Sequence, residues 1–302
     1  MSNDLQIIRQ LHTRFGKFYY EFKDNKVTRF DLNSGHVRHV KNKDLELIGE
    51  LTNLEVLNLE GNYITEIKGL EKLANLQKLY LKYNQITKIQ GLEKLASLQE
   101  LDLSRNKITE IQGLSKITKL QELRLHHNQI TKIQGLDKLT KLQKLDIGNN
   151  KITKIQGLDN LESLGRLDLD WNNIIKIQGL NKLTNLGRLN LSKNKISTIQ
   201  GLDKLVNLEG LNLSKNKIST IQGLNKLTNL EGLNLSHNEI TKIQGLDNLN
   251  KLEYITFYDN EIRKIERLNK LTNLQKIILK INRISDKEFF EFKKNNPNIT
   301  IE

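Results

Sequence analysis

The side chains that could do chemistry in this chain are few and dispersed. Six histidines include two close pairs, His36 with His39 and the adjacent His126-His127, and there is no cysteine. Neighbouring residues on a strand point to opposite faces. No third ligand accompanies either pair, so no metal site is expected, and no other cofactor. No P-loop, dinucleotide fingerprint, HExxH pair or nucleophile elbow occurs, and no serine or histidine stands among unique acid–base partners. The sequence therefore predicts no enzyme. What remains are residue types that dominate recognition surfaces: Tyr80, Tyr83, Arg124, His126, Arg166, Trp171, Tyr254 and Tyr258, with the carboxylates of Asp146, Asp168 and Asp170.

Whatever holds these groups has a period of 22 residues. Segments starting at Leu51, Leu73, Leu95, Ile117, Leu139, Leu161, Leu183, Leu205, Leu227 and Leu249 share the pattern LxxLxxLxLxxNxIxxIxGLxx, and a partial eleventh starts at Leu271. An asparagine recurs without exception from Asn62 through Asn172 to Asn282. One such segment buries too little apolar surface to offset the entropy of ordering it, so neighbours must stack and share a core. The LxL alternation, as in Leu57-Asn58-Leu59, reads as a short strand with its leucines inward, and identical orientation makes the sheet parallel. The asparagine is expected to turn its amide onto unpaired backbone groups in the following bend. A glycine from Gly69 to Gly245 marks the next bend in nine copies, by positive φ or tight packing, and Arg267 interrupts that column.

The pattern divides the chain into four regions. Residues 1–26 read as a cap: a helix with Leu5, Ile8, Leu11 and Phe15 on one face, capped at Ser2 or Asn3 and stopped at Gly16, then a strand Phe18–Phe22 and a turn at Asp24-Asn25. That amphipathic helix could alternatively lie on a membrane surface. Residues 27–50 form an irregular first repeat, with Val27, Phe30, Leu32, Val37 and Val40 aligned 27 residues before Leu54, Leu57, Leu59, Ile64 and Ile67 and Gly35 in place of the asparagine. Ten regular repeats fill 51–270. Residues 271–302 hold the partial repeat and a terminal helix, with Ser285-Asp-Lys-Glu288 as a capping box, Phe289 and Phe292 inward and Pro297 beyond its end.

Segments such as Ile152-Thr-Lys-Ile-Gln-Gly-Leu158 make the chain resemble leucine-rich repeat proteins of the 22-residue class over residues 51–284, and loosely over 27–50. The segments are similar both to the regulatory subunit of a Ser/Thr protein phosphatase and to the repeat region of bacterial internalins. The resemblance implies an α/β solenoid: a curved right-handed arc with a parallel concave sheet, short helical or extended convex turns and helical caps at both ends. It also implies that the concave face binds a protein.

Positions equivalent to Glu55, Val56, Asn58, Glu60 and Gly61 make up that face, and their charges over eleven copies sum to −1. The chain as a whole carries +13, so the excess lies elsewhere, much of it in regular lysine columns such as Lys72, Lys94, Lys116 and Lys138. Evenly spread lysines read as solvated edges. With 37 lysines to 11 arginines and no continuous basic groove, nucleic acid is not expected as the partner. Along one column of the face run Tyr80, Asp102, Arg124, Asp146 and Asp168, which places Arg124 between two carboxylates and sets like charges side by side. Gly148 leaves a gap beside His126, and the small residues beyond the seventh copy (Gly210, Gly232, Asn212, Asn234) read as spacer.

No run of 18 apolar residues could span a bilayer, and the N-terminus has no apolar signal core. The expectation is a cytoplasmic, monomeric, non-enzymatic scaffold with a protein on its concave face. A phosphatase-type regulatory subunit and a weak polyanion or membrane-surface binder are the alternatives; an adhesin of the internalin kind would need a leader and anchoring domains. Truncating Trp171, Arg124 or Tyr80 should then weaken binding but spare stability, and Asn172→Ala the reverse.

Overall fold

A computed structural model describes residues 3–33, 40–268 and 270–302. The chain forms two compact units, residues 1–150 and 151–302. Ser2 and the stretch holding Gly35, His36, Val37 and His39 lie outside the described residues.

The first unit opens with helix α1 (Asn3–Phe15), which Gly16 ends at φ +69°, its N–H donating to the His12 carbonyl at 2.8 Å. Its buried face is Asp4, Ile7, Ile8 and Leu11; Leu5 and Phe15, expected inward, are only half-buried. Asp4 sets this rotation, because its carboxylate accepts the Val27 N–H at 2.9 Å. Strands β1 (Tyr19–Lys23) and β2 (Lys26–Asp31) form an antiparallel hairpin. At its turn Asp24 and Asn25 both have positive φ, the geometry that matches strand twist in a two-residue loop. β2 then starts a parallel ladder with β3 (Val56–Asn58), pairing Phe30 with Leu57 at the expected offset of 27. The offset does not last. Val40 takes the place of Ile64, not Ile67: its N–H donates to Asn62 Oδ1, as the Ile64 N–H does to Asn84. Helix α2 (Asn42–Ile48) follows, burying Leu45 and Ile48, and Asp44 ties it to α1 through Arg14 at 2.7 Å. The parallel ladder continues through β4 (Lys78–Tyr80), β5 (Glu100–Asp102), β6 (Glu122–Arg124) and β7 (Lys144–Asp146).

The second unit repeats the scheme with β8 (Arg166–Asp168), β9 (Arg188–Asn190), β10 (Gly210–Asn212), β11 (Gly232–Asn234), β12 (Tyr254–Thr256) and β13 (Lys276–Ile278). Its terminal helix α3 (Asp286–Asn295) is capped by Ser285, whose Oγ accepts the Glu288 N–H. The expected reciprocal bond is absent, since Glu288 accepts the Ile265 N–H at 2.6 Å instead and ties the helix to the preceding turn. Phe289 and Phe292 are half-buried rather than inward, and no α3 residue is fully buried. A final strand β14 (Thr300–Ile301), unforeseen in the sequence, closes the sheet beside β13.

Each unit is a solenoid whose strands β3 to β13 are three residues long and whose pattern leucines and isoleucines, such as Leu57, Leu59, Ile64 and Ile67, are almost completely buried. The asparagine column binds turn to turn. Asn106 donates through Nδ2 to the Leu81 and Leu103 carbonyls, both at 3.0 Å, and accepts the Ile86 N–H on Oδ1 at 2.9 Å. Leu103 in turn accepts from Asn128 as well. The glycine column has both proposed reasons at once: at Gly113, φ is +72° and an added Cβ would sit 2.3 Å from the Ile89 carbonyl oxygen. Arg267 adopts the same left-handed conformation at φ 60°, a strain of roughly 1–2 kcal/mol for a residue with a Cβ.

Candidate binding surface

The strand positions with outward side chains are punctuated by a second left-handed residue, just before each asparagine. Gly61, Tyr83, Arg105, His127 and Asn149 occupy it in the first unit; Trp171, Lys193, Lys215, His237, Asp259 and Ile281 in the second. The backbone holds this conformation through an N–H donated to the next turn, as from Tyr83 to the Ser104 carbonyl and from Trp171 to the Ser192 carbonyl. Side chains here leave the sheet at its rim. Tyr83 is 48% and Trp171 51% exposed. The ammonium of Lys193 lies 3.8 Å from the Trp171 ring centroid, and the Arg105 guanidinium 4.9 Å from that of Tyr83, both cation–π contacts.

In the first unit an ionic network covers the sheet. Arg124 reaches Glu100 at 2.8 Å and Glu122 at 2.5 Å, and Asp102 only at 3.8 Å. Asp146 pairs instead with His126 Nδ1 at 2.9 Å, a nitrogen also 2.9 Å from Ser104 Oγ. The carboxylates bracketing Arg124 are therefore Glu100 and Glu122, not the column neighbours Asp102 and Asp146. The reason lies in the turn: Asp102 and Asp146 each use Oδ1 to accept the N–H two residues on, as Asn58 does. Tyr80 and Arg124 carry no such acceptor, and both reach sideways to Glu100, the Tyr80 hydroxyl donating at 3.0 Å. Lys78 and Lys144 complete the network. Glu100 and Glu122 escaped the sequence reading, although the in-register column Lys78, Glu100, Glu122, Lys144 alternates in blocks of opposite sign.

Burial alone would raise the Glu100 carboxyl, but hydrogen bonds from Arg124 and Tyr80 outweigh it and hold it below the ordinary value. Burial works against the Arg124 charge too; the bond to Glu100 and the nearby carboxylates overcome it and push its pKa up. Tyr80 is pushed up to about 12 by burial and by the Glu100 charge. Burial, with Arg105 and His126 beside it, keeps His127 neutral to lower pH than usual. For Glu100 the folded chain binds fewer protons than the unfolded one in the window below the ordinary carboxylate value. Its contribution to stability is complete above that window and lost as pH falls through it. Arg124 is therefore tied into the sheet's own ionic network, whatever else it meets. Arg124→Ala is expected to destabilise the protein by about 1–2 kcal/mol at neutral pH and less at acid pH, where Glu100 is protonated. Urea denaturation at both pH values checks this.

In the second unit Arg166 bonds Asp168 on its own strand at 2.7 Å, and Asp170 lies half-buried one position before Trp171. Tyr254 is exposed, while Tyr258 packs edge-on against His237 at 5.3 Å, and His237 Nδ1 meets Asp259 at 2.7 Å. The small residues beyond the seventh copy shape the surface. Gly210 and Gly232 open a depression of about 300 Å³ whose lining runs from Arg166 to Tyr254. No cluster able to hold a metal occurs among the described residues, and no helix among them is long and apolar enough to cross a membrane. The lysine columns are exposed, as a solvated edge requires; Lys72 and Lys270 pair with Glu50 and Asp247.

Models of leucine-rich repeats match this chain over residues 25–86, 74–116, 118–160 and 206–248. No curated protein matches it. Among solved structures it is similar to an internalin (inlF) of Listeria monocytogenes, with 29% identity and a TM-score of 0.70, over 94% of this chain and 90% of that one. A leucine-rich repeat protein of Leptospira interrogans gives 25% identity and a TM-score of 0.69 over 91% and 83%. The functional domain of InlJ from Listeria monocytogenes gives 26% and 0.69 over 86% of this chain and 55% of that one. That domain includes a cysteine ladder, whereas this chain has no cysteine and carries its ladder on asparagine. By period, asparagine and glycine columns, solenoid fold and these matches, the chain is a member of the leucine-rich repeat family with repeats of 22 residues.

Proposed function

We propose that this chain is a non-enzymatic scaffold that binds a protein through the outward strand face of its repeats. The family fold is a typical protein-interaction scaffold. The observation carrying the reading is the placement of Trp171 and Tyr83, two large aromatics held half-exposed at a strained backbone position that needs neither side chain. A phosphatase regulatory subunit is one special case of this reading. A cytoplasmic monomer is its simplest form, supported by the cysteine-free composition.

The test is affinity capture from the native cell with the wild-type chain, Trp171→Ala and Tyr83→Ala. A truncated hot spot commonly costs about 2 kcal/mol, roughly thirtyfold in Kd. Specific partners should be lost from the variants while the melting temperature stays within a degree or two, because neither ring is buried. Identical capture by all three chains would count against this surface. The exposed lysine columns favour a weaker polyanion reading, in which binding to nucleic acid would be sequence-independent and abolished by salt.

A further inference from the structure

Gly210 and Gly232 have no structural reason to be glycine. Neither has a positive φ; a Cβ on Gly232 would meet nothing within 4 Å, and one on Gly210 only the Arg188 side chain at 3.6 Å. They pair with one another in the middle of the parallel ladder, where glycine weakens a strand and otherwise marks close approach by another backbone. The two missing side chains deepen the depression: its floor includes the backbone of β10 and β11, and its lining runs from Arg166 and Asp168 past Arg188 to Tyr254.

The rims are chemically distinct. On one side Asn212 and Asn234 spend their Oδ1 atoms on the N–H groups of Ser214 and Ser236, leaving Nδ2 groups with no acceptor among the described residues. On the other, Glu209, Glu231 and Glu253 precede Gly210, Gly232 and Tyr254. They stand side by side, since the Glu231 N–H donates to the Glu209 carbonyl at 2.8 Å and the Glu253 N–H to the Glu231 carbonyl at 2.9 Å. All three are exposed, and none has a cation partner among the described residues. Like charges in adjacent register repel. Of the residues lining the groove Arg166 and Arg188 are cationic, Arg166 being paired with Asp168, so the acidic character lies in the adjoining glutamate rim alone.

We propose that this groove takes an extended, lysine- or arginine-bearing segment of a protein partner. The backbone of the segment lies over Gly210 and Gly232, its carbonyls accept from Asn212 and Asn234, its cations face the glutamate rim, and Tyr254 closes one end. The proposal rests on the scaffold reading above and names the partner chemistry of one part of that face.

The probe is a short fluorescein-labelled peptide alternating lysine and alanine, titrated by anisotropy against the full chain at low and high salt. The same peptide with glutamate in place of lysine, and a neutral oligosaccharide, are the competing ligands. Wild type should prefer the lysine peptide, with affinity falling as salt rises. Gly232→Leu fills open space, so it should weaken binding by about tenfold or more without lowering the melting temperature; Glu231→Gln should weaken it through charge alone. No binding, affinity in both variants unchanged from wild type, or preference for the glutamate peptide or the oligosaccharide would overturn the proposal. A native partner lost from Trp171→Ala but kept by Gly232→Leu would end the groove and leave the scaffold reading standing.

Discussion

Asn106→Ala is expected to cost about 3 kcal/mol of stability although it removes no apolar contact. The Ile86 N–H loses its acceptor in a place closed to water, a loss of about 1–3 kcal/mol, and the Leu81 and Leu103 carbonyls each lose one of two side-chain donors. The sharing makes a second, more specific expectation. Asn106 and Asn128 both donate to Leu103, so replacing either leaves that carbonyl one amide, and replacing both leaves it none. The double variant should be less stable than the two single losses added together. Chemical denaturation of the four proteins of this cycle measures the coupling; simple additivity would mean that the shared carbonyl is satisfied some other way.

The second large effect belongs to a methyl group. Gly113→Ala adds one carbon at φ +72°, 2.3 Å from a backbone oxygen of the preceding turn. Left-handed strain of roughly 1–2 kcal/mol and an overpacking cost of similar size should together remove about 3 kcal/mol. The same substitution at Gly232, where φ is ordinary and the space empty, should raise stability by about 0.5–1 kcal/mol. Paired thermal melts of the two variants separate a glycine demanded by the fold from one the fold merely tolerates. Melting shifts of the same sign would erase that distinction, and with it the argument that the groove floor serves a ligand.

The fold was legible because its rules repeat. Leucine, asparagine and glycine columns recur at one period, and each corresponds to a single geometric demand met in turn after turn. What could not be read lies where one demand is met by many residue types. The left-handed position before each asparagine carries Gly, Tyr, Arg, His, Asn, Trp, Lys, Asp and Ile, so no pattern announces it; the backbone is fixed there by an inter-turn N–H, not by the side chain. The partners of Arg124 were missed for a related reason. Its column suggested Asp102 and Asp146, but those carboxylates are half-spent on their own turns, and longer side chains two residues along the strand reach it first. At the ends the period fails outright. Val40 takes the place of Ile64 rather than Ile67, Asp4 turns α1 toward a backbone N–H that no hydrophobic pattern encodes, and Glu288 prefers a tertiary partner to its own cap. A second asparagine ladder also went unread: Asn185, Asn207 and Asn229 each donate to a carbonyl 23 residues earlier, from positions that lysine or serine fills in other copies.

The asparagine amide makes its bonds at fixed separations, to a carbonyl 25 residues before it and an N–H 20 before it, and those separations are the same at Asn84, Asn106 and Asn128. Any turn that presents these groups can therefore receive any other. Excising one complete turn from within a unit brings together two strangers with matching edges, and every ladder bond can form again; excising one residue more or less breaks the ladder at the seam. Length in such a chain is quantised, and inheritance that adds or drops whole turns of 22 residues changes the reach of the surface without asking the core to be rebuilt.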